Sequence, residues 1–223
     1  TNAVLVQVGT VNALAHSISW AASDSGLKTS SAALAGKNTY ICKDSNGYLW
    51  VLSSNRTLLA TYQLSAFKST TVNSTTSWVF SEQMLAAAAA ADNVKGSIVP
   101  AGSGSDVWAI YAYAGNVAGR KYTGVWSAPY LIYASGALKL NTDNSPPSVV
   151  VDRKGVVHVV YGNSYRWGQD SIPRLLYSRN NTGMTTFTPG LELPDPLEPL
   201  IVGDYYPTIS LEASTGDLYV FWI

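Results

Sequence analysis

Two stretches of the sequence that combine aromatic and polar residues carry the side chains best suited to bind a ligand. They are Gly162–Pro173 and Gly203–Pro207. A sugar stacks its C–H face on Trp or Tyr, and its hydroxyls bond to Asp, Asn or Arg. The alternative is that these rings only cover the end of a sheet. We predict a sugar- or peptide-binding site with the candidate residues Tyr165, Arg166, Trp167, Asp170, Asp204, Tyr205 and Tyr206.

Catalytic and metal-binding patterns are weak in this sequence. Hydrolysis of a glycoside requires two facing carboxyl groups, and the pair that can be nominated is Asp170 and Asp204. One of them could equally serve as a loop cap. The two histidines, His16 and His158, are too few and too widely separated for a metal cluster. We therefore predict no assigned catalytic residue, no metal site and no cofactor.

Composition argues against several classes of partner. The chain has 14 basic and 14 acidic residues, and only 13% of its residues are charged, against about 25% in a typical protein. Such a balance provides no basic surface for nucleic acid. No segment approaches the roughly 18–20 apolar residues of a membrane span. The single cysteine, Cys42, precludes an intrachain disulfide and, within an apolar strand, is predicted to be a buried structural thiol.

Low charge and abundant hydroxyl groups indicate an extracellular or cell-surface location. Three Asn-x-Ser/Thr sequons agree with this location, and their glycosylation candidates are Asn55, Asn73 and Asn180. The chain begins with Thr rather than Met, which we interpret as a mature or excised product.

The elements that must position the ligand-binding stretches repeat along the chain. Ser148–Tyr161 is predicted to form two short strands joined by an Asp-x-x-Gly turn, which is an ordinary hairpin turn rather than a calcium loop. Related hairpins are predicted at Tyr40–Ser53, Ser97–Tyr111 and Thr208–Trp222. Aligned on the second strand, one column contains Leu49, Val107, Val157 and Leu218, and the next contains Trp50, Trp108, His158 and Tyr219. His158 is therefore predicted to pack rather than to bind metal.

A hairpin that recurs every 50–61 residues is typical of a radial β-repeat. We predict an all-β fold, a single β-propeller domain of about four blades. A closed ring would leave no exposed sheet edge, and the alternative is a piece of a larger propeller. Ala86–Ala91 predicts a turn or two of helix, and Arg120–Gly124 is predicted as the third strand of the second blade. The predicted blades are approximately 38–85, 96–133, 147–193, and 206–223 completed by 15–34.

The turns after the predicted third strands resemble the Asp box of the sialidase-like, BNR-repeat β-propellers, roughly Ser-x-Asp-x-Gly-x-Thr-Trp. The similar segments are Ala22–Gly26, Arg179–Phe187 and Asn116–Gly119 leading to Trp126. In such a turn a short polar side chain caps the backbone, Gly adopts positive φ and the aromatic ring packs between sheets. The resemblance implies ligand binding at the face formed by the second-to-third-strand and blade-to-blade loops. Sialidase activity would need an arginine triad, and Arg166 is the one arginine placed clearly on that face.

The leading hypothesis is a non-catalytic recognition or structural module that binds a glycan or a protein partner through this loop face. The first alternative is a degenerate or partial sialidase-like glycoside hydrolase. The second is a self-assembling extracellular subunit, in which the open fourth blade exchanges strands with another copy and forms a homo-oligomer.

Overall fold

The computed structural model describes residues 3–20, 25–28, 33–57, 62–75, 77–78, 83–88, 94–113, 116–134, 146–163, 174–181, 186–193 and 207–222. These residues form β-strands joined by turns and irregular segments, without a helix. The all-β prediction is therefore confirmed. No described helix is long and apolar enough to cross a membrane.

The N-terminal residues form two small antiparallel pairs. Strand β1 (Ala3–Val6) pairs with β4 (Ser25–Lys28), and β2 (Gly9–Asn12) pairs with β3 (Ser17–Trp20). Val6 of β1 is buried in a small apolar cluster with Val51 and Phe67 of the following sheet.

Three four-stranded antiparallel sheets follow, and in each the strands lie side by side in chain order. We call them blades 1, 2 and 3. Blade 1 contains β5 (Ala33–Lys43), β6 (Leu49–Thr57), β7 (Tyr62–Lys68) and β8 (Gln83–Ala88). Blade 2 contains β9 (Lys95–Pro100), β10 (Val107–Tyr113), β11 (Asn116–Tyr122) and β12 (Tyr130–Ala134). Blade 3 contains β13 (Ser148–Val151), β14 (Val157–Asn163), β15 (Arg174–Arg179) and β16 (Leu191–Glu192). The last hairpin pairs β17 (Thr208–Leu211) with β18 (Leu218–Phe221).

The strand register confirms the repeat. In each hairpin, the residue predicted for the first column of the second strand lies on the rung next to the turn. These rungs join Lys43 to Leu49, Pro100 to Val107, Val151 to Val157 and Leu211 to Leu218. The four hairpins are therefore equivalent in register as well as in sequence.

Alternate side chains of each second strand pack against different neighbours. In β10, Val107 and Tyr111 pack against blade 1, whereas Trp108 and Ile110 pack against blade 3. A strand sends successive side chains to opposite faces, so an apolar strand of this kind lies between two stacked sheets. The first strands β5, β9, β13 and β17 are neighbours in the same order around a hub. Face-to-face stacked blades around adjacent inner strands make this fold a β-propeller.

Hydroxyl groups link the inner strands around the hub. Ser97 Oγ donates to the carbonyl oxygen of Pro147 at 2.6 Å, and Ser148 Oγ accepts from the N–H of Ile209 at 3.1 Å. Tyr40 hydrogen-bonds the Ser97 side chain. Ser97 and Ser148 occupy the same rung of successive blades. The repeat therefore places polar links, as well as apolar side chains, at equivalent sites.

Two local predictions are wrong. The alanine run is not helical over Ala86–Ala88, which belong to β8 and pair with β7, because tertiary pairing outweighs the helix propensity of alanine. The rest of that run lies outside the described residues. The third strand of blade 2 is β11 rather than Arg120–Gly124, so Asn116–Gly119 lies in a strand and not in a turn.

The proposed completion of a fourth blade by residues 15–34 stays a prediction. Over the described residues, β18 pairs with β17, β3 pairs with β2, and β4 pairs with β1. The other predicted blade limits are likewise kept as a proposal.

Candidate functional site

All seven predicted ligand-binding residues lie outside the described residues, in segments 164–173 and 194–206. The described strands nevertheless define where these segments attach. β14 runs away from the turn at 152–156 and ends at Asn163, and β15 begins at Arg174. The first segment therefore leaves blade 3 at the end opposite that turn. We call this end of the propeller the loop face, and the end that carries the turns after β5, β9, β13 and β17 the turn face.

The strands nearest the hub provide no carboxyl group. No Asp or Glu occurs in the first strands β5, β9, β13 and β17, or in the second strands β6, β10, β14 and β18. A carboxyl group acting at the loop-face end of the hub has to come from a connecting segment. Asp170 and Asp204 both lie in such segments.

An open cleft of about 910 Å³ lies on the turn face. Its walls come from the turns of all four hairpins, at residues 43–45, 100–103, 151–155, and 211 with 213. Because all four turns border one cleft, they lie at the same end of the hub. The volume falls in the range of roughly 300–1,000 Å³ found for ligand pockets.

Asp44, in the wall of this cleft, is fully engaged by its own hairpin. Its Oδ1 accepts from the N–H groups of Asn46 at 3.1 Å and Tyr48 at 2.9 Å. Its Oδ2 accepts from Trp50 Nε1 at 2.9 Å. Gly47 has a φ of 89°, a conformation that favours glycine. The Asp-x-x-Gly sequence thus forms a hairpin turn, as predicted, and the structure shows that its own aspartate caps it.

Asp152 repeats this arrangement with a histidine in the place of Trp50. Its Oδ1 accepts from two backbone N–H groups of its own turn, both at 2.8 Å, and its Oδ2 lies 3.6 Å from His158 Nε2. His158 Nδ1 lies 2.7 Å from the Tyr177 hydroxyl. His158 is 7% exposed, so its predicted packing role is confirmed. Among the described residues, no group of three or more His, Cys, Asp or Glu could hold a metal ion.

Burial sets the charge of His158, whereas hydrogen bonds set the charge of Asp152. Burial lowers the pKa of His158 below its usual 6.5, and this effect outweighs the opposing Asp152 carboxylate. Burial also acts to raise the pKa of Asp152, but the backbone N–H groups of Val156 and Lys154 and the His158 ring outweigh it, so the net pKa is lowered. The pair therefore favours a neutral imidazole beside an ionised carboxylate.

We expect the free energy of unfolding to decrease as the pH falls from about 7 to 5. The folded-state pKa of His158 lies below its unfolded value, so the unfolded chain gains the proton first. Asp152 adds a second loss below about pH 4, because its folded-state pKa is also lowered. His158→Phe should flatten the first step, whereas His16→Gln, in the exposed turn after β2, should not. Urea unfolding from pH 3 to 8 measures both steps, and identical profiles for wild type and His158→Phe would contradict this assignment.

Cys42 lies half-buried in β5 and packs against the core between blades 1 and 2. Burial, with a smaller effect of the nearby Asp44 carboxylate, raises the pKa of its thiol to about 12. A thiol with so high a pKa is almost entirely protonated near neutral pH and therefore reacts slowly. This environment agrees with the predicted structural role.

The three sequon asparagines lie in different surroundings. Asn55 belongs to β6, and Asn73 lies in an exposed turn with a φ of 55°. Asn180 is 2% exposed, and its Oδ1 accepts from the N–H of Val157 at 2.7 Å. This environment has no room for a glycan, so the prediction for Asn180 is wrong. The candidates Asn55 and Asn73 stay predictions.

The aromatic residue after the third strand packs between blades, as predicted from the turn pattern. The Trp126 ring lies 5.9 Å from the Trp50 ring across the interface of blades 1 and 2. The Phe187 ring lies at the same distance from Trp108 across the next interface. These edge-on contacts fix the turn-face ends of adjacent blades against each other.

One repeated feature could have been found from the sequence by extending the columns to the third strand. Opposite the second-strand residues Trp50, Trp108 and His158 lie the basic residues Lys68, Lys121 and Arg179, respectively. Lys68 Nζ lies 4.2 Å from the Tyr48 ring centroid and 5.3 Å from that of Trp50, which is a cation–π arrangement.

Comparison with known proteins identifies the fold and not a family. No protein-family model matches the sequence, and no curated protein matches it. Among solved structures, an α-L-arabinanase from Penicillium chrysogenum, complexed with arabinobiose, matches 98% of this chain and 67% of its own at 13% identity and a TM-score of 0.66. An endo-arabinase from Bacteroides thetaiotaomicron covers 91% of this chain and 76% of its own at 12% identity and a TM-score of 0.49. The likeness to the first supports the β-propeller fold.

Proposed function

We propose that this propeller acts on a glycan at its loop face, as a glycoside hydrolase for an arabinose-containing chain. The observation that carries the proposal is the fold likeness, over 98% of this chain, to an α-L-arabinanase complexed with arabinobiose. In this proposal Trp167 and Tyr205 stack on sugar rings. Asp170 and Asp204 form the carboxyl pair that glycoside hydrolysis requires.

The described strands support this choice of carboxyl groups. Segments 164–173 and 194–206 attach to neighbouring units of the propeller, because β13 and β17 are adjacent and Leu175 and Ile209 share one apolar cluster. Both segments join strands at their loop-face ends, so Asp170 and Asp204 belong to connections that start close together. The resemblance of the turns to the sialidase-like family stays an interpretation, since one of its three similar segments lies in β11.

The second candidate is the non-catalytic module. It is favoured by the lack of Asp and Glu in the first and second strands of the blades. A propeller of this kind would hold the same glycan on Trp167 and Tyr205 without cleaving it. We also propose that the protein is extracellular. Strand exchange between copies is a further proposal.

The test is to incubate the protein with arabinan and to measure both binding and release of reducing ends. We expect Asp204→Asn and Asp170→Asn each to lower the hydrolysis rate by about 10²-fold or more while binding is kept. Trp167→Ala should weaken binding by about tenfold, because it removes the stacking ring. The matched control is Asp217→Asn, which changes an exposed carboxyl group on the turn face.

The outcomes separate the candidates. Binding without release of reducing ends supports the non-catalytic module and overturns the hydrolase. Release that survives both aspartate changes overturns the assignment of the carboxyl pair. Absence of both binding and release overturns glycan recognition of this class.

A further inference from the structure

We propose that the turn-face cleft is a second binding site, for a small ligand that carries at least two carboxylate or phosphate groups. This site lies at the opposite end of the hub from the loop face and does not depend on the function proposed there. The cleft is bordered by the turns after β5, β9, β13 and β17 and has a volume of about 910 Å³.

The charge of the cleft wall favours an anion. Four basic side chains and two carboxyl groups line it. The two carboxyl groups, Asp44 and Asp152, already accept hydrogen bonds from their own hairpins, and Asp44 is 3% exposed. The basic residues are Lys43, Lys121, Arg153 and Lys154. The lining therefore has an excess of two positive charges, of which one, that of Lys121, is balanced by its ion pair with Asp106. The two carboxyl groups of the lining are directed to their own turns.

The basic groups come from different blades. Lys43 ends β5 of blade 1, whereas Arg153 and Lys154 lie in the turn of blade 3. All three residues are exposed. Lys121 of blade 2 pairs with Asp106 at 3.1 Å. Because the basic walls of the cleft belong to different blades, a ligand with two or more anionic groups can pair with both of them.

Hydrogen bonds join the cleft walls formed by the turns of blades 1 and 2. Ser45 in the turn of blade 1 donates to the carbonyl oxygen of Gly102 in the turn of blade 2. Asn46 Nδ2 donates to Ser105 Oγ at 3.1 Å. Fixed walls reduce the entropy lost on binding. The planar guanidinium of Arg153 suits either a carboxylate or a phosphate, because both accept two parallel hydrogen bonds.

The test uses isothermal titration of the whole chain with three probes at low salt. They are trigalacturonate, tripolyphosphate and neutral arabinotriose. We expect at least one of the two anions to bind and its affinity to fall as salt is added. The double variant Lys43→Gln/Arg153→Gln should lose about tenfold or more in affinity for that anion. The control Arg179→Gln removes an exposed charge that does not line the cleft, and it should keep the affinity within about twofold.

Further readouts separate this site from the loop face. Trp167→Ala should leave anion binding intact, and the double variant should leave any arabinotriose binding intact. Binding of trigalacturonate alone identifies an acidic sugar as the ligand class, and binding of tripolyphosphate alone identifies a phosphorylated one. The proposal is overturned if neither anion binds, or if the double variant with an unchanged thermal midpoint keeps wild-type affinity. Equal losses in the double variant and in Arg179→Gln also overturn it, because they indicate non-specific attraction.

Discussion

Trp50→Ala is expected to lower the free energy of unfolding by about 3–5 kcal/mol. Trp50 is 2% exposed and lies between blades 1 and 2. Its ring is 4.7 Å from that of Tyr122 and 5.9 Å from that of Trp126. The substitution would leave a cavity in the interface and remove the donor to Asp44 Oδ2. Loss of packing is the larger of these two effects.

Guanidinium unfolding of three variants separates these contributions. Trp50→Phe keeps an aromatic ring but removes the N–H, so it should cost about 1–3 kcal/mol. Trp20→Ala is the matched control, because Trp20 in β3 is 61% exposed, and its effect should stay within about 0.5 kcal/mol. A loss for Trp50→Ala no larger than that for Trp20→Ala would show that this interface does not stabilise the fold.

Asp44→Ala is expected to destabilise the protein by about 2–4 kcal/mol. It leaves three donors without their acceptor, namely the N–H groups of Asn46 and Tyr48 and the indole N–H of Trp50. A donor left unsatisfied in the interior costs about 1–3 kcal/mol, and the two turn N–H groups can recover part of this by bonding to water. Asp44→Asn retains one acceptor oxygen, so it should lose less than Asp44→Ala.

Asp152→Ala is the comparison that tests the role of burial. Asp152 caps the equivalent turn, but it is more exposed than Asp44 and lies 3.6 Å from its ring partner rather than 2.9 Å. Its loss of stability should therefore be smaller. Glu212→Gln, in the exposed turn of the last hairpin, should leave the denaturation midpoint unchanged. Equal losses for Asp44→Ala and Asp152→Ala would contradict the assigned importance of the buried indole bond.

The repeat was accessible from the sequence because all four hairpins carry an apolar second strand and two of them share an Asp-x-x-Gly turn. The apolar run around Val107 or Val157 gives the second strand, and the Asp-x-x-Gly turns at Asp44 and Asp152 fix its start. The turns of the second and fourth hairpins are one residue longer, yet their second strands keep the same register. The columns could therefore be aligned without knowledge of the tertiary contacts.

Features that depend on contacts distant in sequence could not be predicted in the same way. Ala86–Ala88 have a helical propensity, and only pairing with β7 makes them a strand. Asn180 matches a glycosylation sequon, and only the approach of Val157 shows that its amide caps a neighbouring strand. Ser69 Oγ accepts from the N–H of Leu49 at the corresponding place in blade 1. Ser69 and Asn180 share no sequence pattern from which this hydrogen bond to the second strand could be predicted.

The two candidate sites differ in how far the sequence reveals them. The loop-face site was nominated by residue type, since Trp167 and Asp170 occur together in a short polar stretch. The turn-face cleft has no such local signal. Lys43 and Arg153 are 110 positions apart and border one cavity only because the blades stack around a hub. Charge at a shared face is a property of the assembled repeats.

Over the described residues, strands of different blades share no backbone ladder, and adjoining sheets meet through side chains such as Trp50 and Ser97. The stability of such an array is approximately the sum of the stabilities of the individual sheets and of the interfaces between neighbouring sheets. Blade 2 has a four-stranded blade on both sides, whereas the outer neighbours of blades 1 and 3 are two-stranded pairs over the described residues. The first six residues of β10 are buried. Local unfolding should therefore begin in the outer sheets and reach β10 last. We expect the amides of β10 to be the best protected from hydrogen exchange among the described strands.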